Sequence, residues 1–439
     1  MRIITWFIYL ITLFLLLPSC SNEEIGTDNP GDDNGKDLNV SFLVNTIGTR
    51  GSSTSPVQEK VRSLRIIMIS DGFIEYNTKI DLEEGSVSDA DENPSFPYLF
   101  NRSTVPGNKK FYLIANEETV NSVSFETENN LPSGIVEGMS LSSILNSFSR
   151  DKLPGEGTFG YSTSGKGNQL ETVLNDAYFN INYEIANGTV YLPYTAYYDG
   201  IVSTDDASQT IRETMYIVPV ATKFTVCLNN YRKEKVRIEK LNLSKFHDSN
   251  FLMAHLDDSE KTKTFAGRSF PWIEWLKIVS DGSNSAADIE AFNQSAGWIE
   301  KYLIPENAEL NMRVRRAGTD EDWTIEKLVN LENPSILPVV TYLPESKNIV
   351  TKQVYNNATK EYENKSYQAY YLQIFAKDEN AEEIAESEIL EIDAAKALFR
   401  NTHVVVDIDI YDSMVDIYCQ IQPWEYSSFK GYLQEVDDD

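Results

Sequence analysis

The residue whose position most directly implies chemistry is Cys20, one of only three cysteines in the chain of 439 residues. It ends the apolar stretch LLLPSC, and the run from Ile3 to Leu17 before it carries no charge. Arg2 supplies the only basic residue ahead of that run. This run is too short to cross a bilayer, which takes roughly 20 apolar residues. A basic tip, a short apolar core and a small residue at the end are instead typical of a secretory signal.

The thiol of Cys20 predicts a further step, since an ordinary cleavage site needs no cysteine. In a lipoprotein precursor this thiol is the nucleophile that receives diacylglycerol, and the cysteine becomes the new N-terminus. Leu17 and Ser19 occupy the usual positions of a lipobox, whereas Pro18 is atypical. We therefore predict a lipoprotein signal peptide over residues 1–19 and lipidation of Cys20. A plain signal peptide with an incidental cysteine is the alternative.

The segment after the cysteine has the composition of a tether. Residues 21–37, SNEEIGTDNPGDDNGKD, are rich in Gly, Asn, Asp and Glu and offer almost nothing to bury. Such a segment is expected to be flexible, so we interpret residues 20–37 as a lipidated tether. Two or more acyl chains on Cys20 would hold the protein stably at a membrane.

The charge of the chain excludes one large class of partners. Lys and Arg number 38 against 67 Asp and Glu, which gives a formal net charge of −29. Nucleic-acid binding needs clustered basic residues to neutralise phosphates, so no nucleic-acid partner is expected. A strongly negative surface keeps a secreted protein soluble through self-repulsion.

Motifs that could support catalysis or metal binding lack their required companions. GEGTFG (155–160) matches a glycine-rich nucleotide loop, but RDKLP precedes it where a buried strand would be needed, and the kinase motifs are absent. His247 and His255 have no cysteine or third histidine nearby, as a zinc site would need. We expect a glycine loop, no metal, no cofactor and no enzymatic activity.

The elements that would position any site are mostly strands, because the apolar periodicity is two rather than 3.6. Cys227 and Cys419 fall within such strands and are expected to be unpaired. The predicted strands are 38–47, 61–70, 109–116, 178–185, 214–220, 222–228, 235–243, 309–316, 367–376, 403–411 and 416–424, and the predicted helices are 139–148 and 286–295.

This pattern predicts an all-β fold of sandwiches with a few short helices, and the length suits two or three domains. The polar, turn-rich stretch 197–211 is the weakest part of the pattern, so we place a domain boundary there. The predicted domains are an N-terminal β-sandwich over 38–205 and a C-terminal β-sandwich over 206–439.

Several strand sequences resemble those of Bacteroidales fimbrillins, the type V pilin family. The similarity covers most of residues 38–424, with the strands in the same order. The sequence SNEE after Cys20 also resembles the export signal of Bacteroidales lipoproteins. One departure is Val220, since the family commonly has a basic residue near this position. The segments that carry the resemblance are 61–77, 109–118, 217–228, 341–346, 399–410 and 419–424.

The resemblance implies two transthyretin-like sandwiches and a structural fimbrial subunit that supports adhesion. Its implied partners are the outer membrane, through the lipid on Cys20, an arginine-specific protease, and other fimbrial subunits, joined by donor-strand exchange. In the family, a cut at the place of Arg50–Gly51 removes the first strand with the lipid and opens a groove that a neighbour's strand fills. The C-terminal segment 426–436 is the candidate donor. An uncut first strand, as in anchor subunits, is the alternative, and a stalk, tip or anchor role stays open.

A second class of function is a cell-surface lipoprotein that binds glycans. Trp272, Trp275 and Trp298 fall in one stretch and could form an aromatic platform for sugar rings. Tryptophans in such a stretch more often belong to a core or an interface. Loss of glycan binding in Trp272→Ala or Trp275→Ala would favour this class.

Overall fold

A computed structural model of this chain describes twenty-one ranges between residues 38 and 423, all within one compact unit, Asp37–Asp439. They are 38–46, 59–82, 96–104, 106–127, 131–153, 165–180, 191–202, 214–231, 237–246, 249–256, 262–265, 268–273, 308–312, 339–345, 349–356, 359–368, 371–377, 383–385, 390–391, 399–411 and 415–423.

The first half of the described chain contains nine strands and two short α-helices, with a 3₁₀ turn at Glu117–Thr119. The strands are β1 Leu38–Thr46, β2 Ser63–Ser70, β3 Phe73–Asp81, β4 Tyr98–Thr104, β5 Gly107–Ala115, β6 Ser124–Phe125, β7 Ala177–Asn180, β8 Tyr194–Val202 and β9 Thr214–Pro219, and the helices are α1 Leu141–Asn146 and α2 Gly167–Asp176.

Seven of these strands form one sheet in the order β3-β2-β5-β8-β9-β1-β4. The sheet folds over on itself into a sandwich, as the aromatic contacts show. The ring of Phe42 in β1 lies 5.3 Å from that of Phe111 in β5, although β8 and β9 separate these strands within the sheet. The ring of Tyr76 in β3 lies 5.2 Å from that of Phe100 in β4, so the two edge strands also meet.

The second half is built from shorter sheets and hairpins. Two larger sheets have the orders β16-β10-β22-β23 and β15-β11-β19-β20, and β12 pairs with β7 of the first half. The strands are β10 Thr222–Asn230, β11 Arg237–Phe246, β12 Ser249–Phe251, β13 Thr262–Phe265, β14 Arg268–Pro271, β15 Ala308–Met312, β16 Val339–Leu343, β17 Ile349–Asn356, β18 Glu361–Gln368, β19 Tyr371–Lys377, β20 Glu383–Ala385, β21 Leu390–Glu391, β22 Thr402–Ile410 and β23 Val415–Pro423.

The predicted all-β class is confirmed, and so is a helix at 139–148. That helix is α1, and Ser140 caps it by accepting a hydrogen bond from the Ser143 amide at 3.2 Å. Helix α2 was not predicted, although its buried Leu170, Val173 and Leu174 recur at helical spacing. The predicted helix 286–295 lies outside the described residues.

Two expectations differ from the structure. The segment 367–376, predicted as one strand, belongs to two, since β18 ends at Gln368 and β19 begins at Tyr371. These strands have different partners, β17 and β11, and a change of partner leaves no trace in an alternating pattern. Residues 197–202, interpreted as part of a turn-rich boundary, continue strand β8.

Strand β9 bears on the predicted domain bounds. The range 206–439 assigns it to the second domain, whereas it pairs with β1 and with β8 in the first sheet. The division into domains over 38–205 and 206–439 itself stays a prediction. Over the residues that the structure describes, helices are too short or too polar to span a membrane.

Candidate functional site

The candidate site is the groove that strand β1 fills between β4 and β9. β1 pairs antiparallel with β4 over seven residues, from Leu38 opposite Thr104 to Val44 opposite Tyr98. Its C-terminal end also pairs in parallel with β9, where Leu43 lies opposite Thr214. Strand β1, which precedes both partners in the sequence, is thereby inserted between β4 and β9.

The side chains of β1 alternate between the core and the outer face. Val40, Phe42 and Val44 are at most 1% exposed. Ser41 and Leu43 on the other face are half-buried. This is the alternation expected of a strand that completes one layer of a sandwich, and it agrees with the period of two from which the strand was predicted.

The floor of the groove is aromatic. The ring of Phe42 lies 4.8 Å from that of Phe100 and 5.3 Å from that of Phe111, which points edge-on toward it. Both partners are at most 1% exposed. If β1 left the groove, these rings and the backbone groups of the neighbouring strands would be exposed to water, so the empty groove would favour another apolar strand.

Strand β4 depends on β1 more than the other strands do. It forms the edge of the sheet, and β1 is its only backbone partner among the described strands. Besides Phe100, two polar side chains of β4 contact β3 in the layer opposite: the Thr104 hydroxyl donates to Glu75 Oε1 at 2.6 Å, and the Arg102 guanidinium lies 5.7 Å from the centre of the Tyr76 ring.

Glu75 belongs to a buried charged cluster at this end of the groove. Its Oε2 lies 2.5 Å from Lys109 Nζ, which also donates to Ser70 Oγ at 2.8 Å. The Lys109 side chain is 0% exposed, and burial lowers its pKa, although Glu75 opposes that effect. We call Ser70, Glu75, Thr104 and Lys109 the β4 clamp.

The chain is fixed again shortly after the segment that follows β1. The Glu59 carboxylate is 2.8 Å from Lys223 Nζ and accepts from the Tyr342 hydroxyl at 2.8 Å. The Asn116 side chain accepts from the amide of Arg62 at 2.8 Å and donates to the carbonyl of Lys60 at 2.9 Å. A cut between β1 and Glu59 would therefore leave the remaining chain attached to the core.

The predicted modification and exchange residues lie outside the described part of the chain. These are Cys20, Arg50, Gly51 and the candidate donor segment 426–436. The glycine loop 155–160 is also outside it. The structure therefore leaves lipidation, cleavage and the donor as predictions.

Among the residues that the structure describes, no group of His, Cys, Asp and Glu could hold a metal ion. His255 Nε2 lies 2.8 Å from the Asn175 carbonyl oxygen and its ring packs against Phe251, which is a structural role. Cys227 and Cys419 are thiols that are not joined in a disulfide, as predicted. Burial and the neighbouring Asp407 raise the pKa of the Cys227 thiol to about 12, so it is not a reactive thiolate.

Of the three tryptophans considered for a sugar platform, only Trp272 falls among the described residues. Its ring packs edge-on against Phe399 at 5.4 Å, and Trp272 also lines a cleft. Two tyrosines that share this cleft, Tyr112 and Tyr197, were not found by sequence reasoning. The available signal was the spacing of Tyr197 and Asp199, which places both on one face of a strand.

No protein-family model matches the chain, and no curated protein matches it. Among solved structures it is similar to the tip fimbrial protein Mfa3 of Porphyromonas gingivalis with a C-terminal truncation, at 11% identity and a TM-score of 0.44, covering 88% of this chain and 100% of that one. The fimbrilin FimA of the same organism gives 10% identity, a TM-score of 0.37, and coverage of 88% and 97%.

A fimbrial assembly protein from Parabacteroides distasonis gives 8% identity and a TM-score of 0.39, covering 89% of this chain and 100% of that one. Several of the solved structures similar to this chain are thus fimbrial proteins of Bacteroidales, the group whose fimbrillins the strand segments resemble. Because their TM-scores are under 0.5, these structures say nothing about the function of this chain. The function is inferred instead from the groove that β1 fills.

Proposed function

We propose that this chain is a structural subunit of a surface fimbrium, exported as a lipoprotein and assembled by strand exchange. The observation that carries the proposal is the position of β1, the first described strand, which is inserted between β4 and β9 with Val40, Phe42 and Val44 in the core. Once the chain is cut after it, a strand in this position can be exchanged for another strand without a change in the rest of the sandwich.

While β1 is covalently attached, it occupies the groove at an effective concentration that a separate chain cannot match. A cut after Arg50 turns β1 into a dissociable peptide, and the groove then accepts an extended segment from a neighbouring subunit. Backbone hydrogen bonds to β4 and β9 hold the incoming strand. The pockets that Val40, Phe42 and Val44 fill in the uncut chain set its register. The segment 426–436, which follows β23, is the proposed donor.

The proposed lipid on Cys20 adds a second consequence of the same cut. The lipid and β1 lie on the same side of Arg50, so one cleavage both frees the subunit from the outer membrane and opens its groove. A subunit that keeps Arg50 uncut stays lipid-anchored with a closed groove, which suits the base of a fibre. The chain itself needs no catalytic group for either role.

Treatment of purified precursor with an arginine-specific protease tests this proposal. We expect a chain that begins at Gly51 and that forms oligomers in size-exclusion chromatography, while Arg50→Ala stays monomeric. Arg50→Lys is the matched control, because it keeps the charge but removes the cleavage site, and it should also stay monomeric. A synthetic peptide with the sequence of residues 38–49 should suppress oligomers of the cleaved chain.

A cleaved chain that stays monomeric, with the uncut lipoprotein found at fibre bases, would show an anchor subunit and overturn the exchange step. Absence of the protein from sheared surface fibres and from fibre bases would overturn the fimbrial role altogether. Lipidation is tested separately, since Cys20→Ala should abolish incorporation of labelled fatty acid.

A further inference from the structure

A cleft of about 520 Å³ lies away from the β1 groove, where β5, β8 and α2 meet the segments that follow β12 and β14. Its volume is in the usual range of small-molecule pockets, about 300–1,000 Å³. The lining residues that matter for a ligand are aromatic or charged: Lys110, Tyr112, Glu171, Tyr197, Asp199 and Trp272. None of them belongs to the groove or to the β4 clamp.

The aromatic part of the cleft is fixed in place. The rings of Tyr112 and Tyr197 lie 4.9 Å apart, and Tyr112, at 2% exposed, packs behind its neighbour. Trp272 is held by its edge-on contact with Phe399 at 5.4 Å. Tyr197 and Trp272 are half-buried, so each keeps part of its ring surface toward the cleft. Fixed aromatic surfaces bind apolar faces with little loss of side-chain entropy.

The polar part places donors and acceptors beside these rings. The Tyr197 hydroxyl donates to Asp199 Oδ1 at 2.5 Å, and the Tyr112 hydroxyl donates to Glu171 Oε1 at 3.3 Å. Burial and the carboxylates raise the pKa of both tyrosines, so their hydroxyls stay protonated. Lys110 Nζ lies 2.8 Å from Glu171 Oε1 and its side chain is 42% exposed.

These groups disfavour several ligand classes. Two carboxylates against one ammonium group disfavour an anion, and the ion pair of Lys110 with Glu171 already neutralises one of the two carboxylates that a cation would use. A purely apolar ligand would cover the carboxylates without offering them hydrogen bonds, which is costly. A sugar ring combines an apolar C–H face with hydroxyls that both donate and accept.

We infer that this cleft binds a neutral carbohydrate, with the ring face against Tyr197 and Trp272 and hydroxyls bonded to Asp199, Glu171 and Lys110. Carbohydrate binding and strand exchange use different residues. The inference therefore does not depend on the proposed assembly, and each can fail without the other.

Saturation-transfer NMR on the purified chain with mannose, galactose, fucose and N-acetylglucosamine tests the inference. At least one of the four should show saturable transfer. Trp272→Ala and Asp199→Asn should each weaken that sugar by about tenfold or more. Asp199 is exposed, so Asp199→Asn keeps the test valid if Trp272→Ala fails to fold.

Tyr362→Ala is the matched control, because Tyr362 is an aromatic residue that is 70% exposed and lies outside the cleft. It should leave sugar binding unchanged. Two results would overturn the inference: no saturable transfer from any of the four sugars, or transfer that Trp272→Ala and Asp199→Asn leave intact. Saturable binding of an oligolysine peptide in place of the sugars would show a cation site and would overturn it as well.

Discussion

At the scale of single residues, two adjacent lysines on β5 show how burial decides the effect of a charge. Lys109 is 0% exposed and paired with Glu75, whereas Lys110 is 42% exposed and paired with Glu171. A buried pair that loses one partner leaves the other charge without compensation, while an exposed pair contributes little. Loss of the lysine side chain is therefore expected to lower the free energy of unfolding much more at position 109 than at position 110.

We predict that Lys109→Ala lowers the free energy of unfolding by about 3–5 kcal/mol, because the buried carboxylate of Glu75 would lose the ammonium group that lies 2.5 Å from its Oε2. Lys110→Ala, the matched control, should change it by less than about 1 kcal/mol. Urea denaturation followed by tryptophan fluorescence measures both. Equal effects of the two substitutions would contradict the role assigned to the β4 clamp.

At the scale of elements, the central feature is that β1 contributes three apolar side chains to a core formed otherwise by later strands. The burial of Phe42 against Phe100 and Phe111 is the largest part of this contribution. Strand β4, which has β1 as its backbone partner in the described sheet, should be the element most affected when β1 loosens.

We predict that Phe42→Ala destabilises the uncut chain by about 3–5 kcal/mol, since it leaves a cavity between the two layers. Leu43→Ala removes a side chain from the opposite, half-buried face and should cost about 1 kcal/mol. Hydrogen exchange should show faster exchange in β4 for Phe42→Ala and little change in β2. Uniform faster exchange across the sheet would instead indicate global unfolding and would contradict the dependence of β4 on β1.

At the scale of the whole molecule, Arg400 joins strands from both halves of the described chain. Its side chain is 0% exposed and forms a two-point ion pair with Glu345, with Nε to Oε2 at 2.9 Å. It also donates to Thr195 Oγ1 of β8 at 3.1 Å and to the Phe251 carbonyl of β12 at 2.8 Å. One guanidinium thereby links four segments that are far apart in sequence.

We predict that Arg400→Met lowers the free energy of unfolding by about 3–5 kcal/mol and splits one thermal transition into two in calorimetry. The double substitution Arg400→Met with Glu345→Met should recover most of that loss, because no buried charge is left uncompensated. Arg102→Met on β4 is the control, because its guanidinium is exposed and stacks only at the surface, 5.7 Å from the Tyr76 ring centre, and it should cost about 1 kcal/mol or less. A single transition in all variants would contradict the linking role of Arg400.

The residues of the proposed groove could be predicted only in part. The alternation of Val40, Phe42 and Val44 is a local property of the sequence, and its period of two predicted the strand. Strand β4 was not predicted, because only Phe100 and Thr104 of its seven residues are buried. Its sequence therefore lacks the apolar alternation that predicts a strand. The β4 clamp was missed because its lysine has the same sequence signature as an exposed one.

The sequence by itself determined what depends on neighbouring residues: the period of two, the all-β class and the thiol state of Cys227 and Cys419. Only the tertiary structure decided what depends on contacts between distant segments. These include the insertion of β1 between β4 and β9, the link from Arg400 to Thr195, and the meeting of Trp272 with Tyr197 in one cleft. The physical reason is that hydrophobic periodicity fixes which face of a strand is buried, whereas its partner strands are chosen by the packing of the whole core.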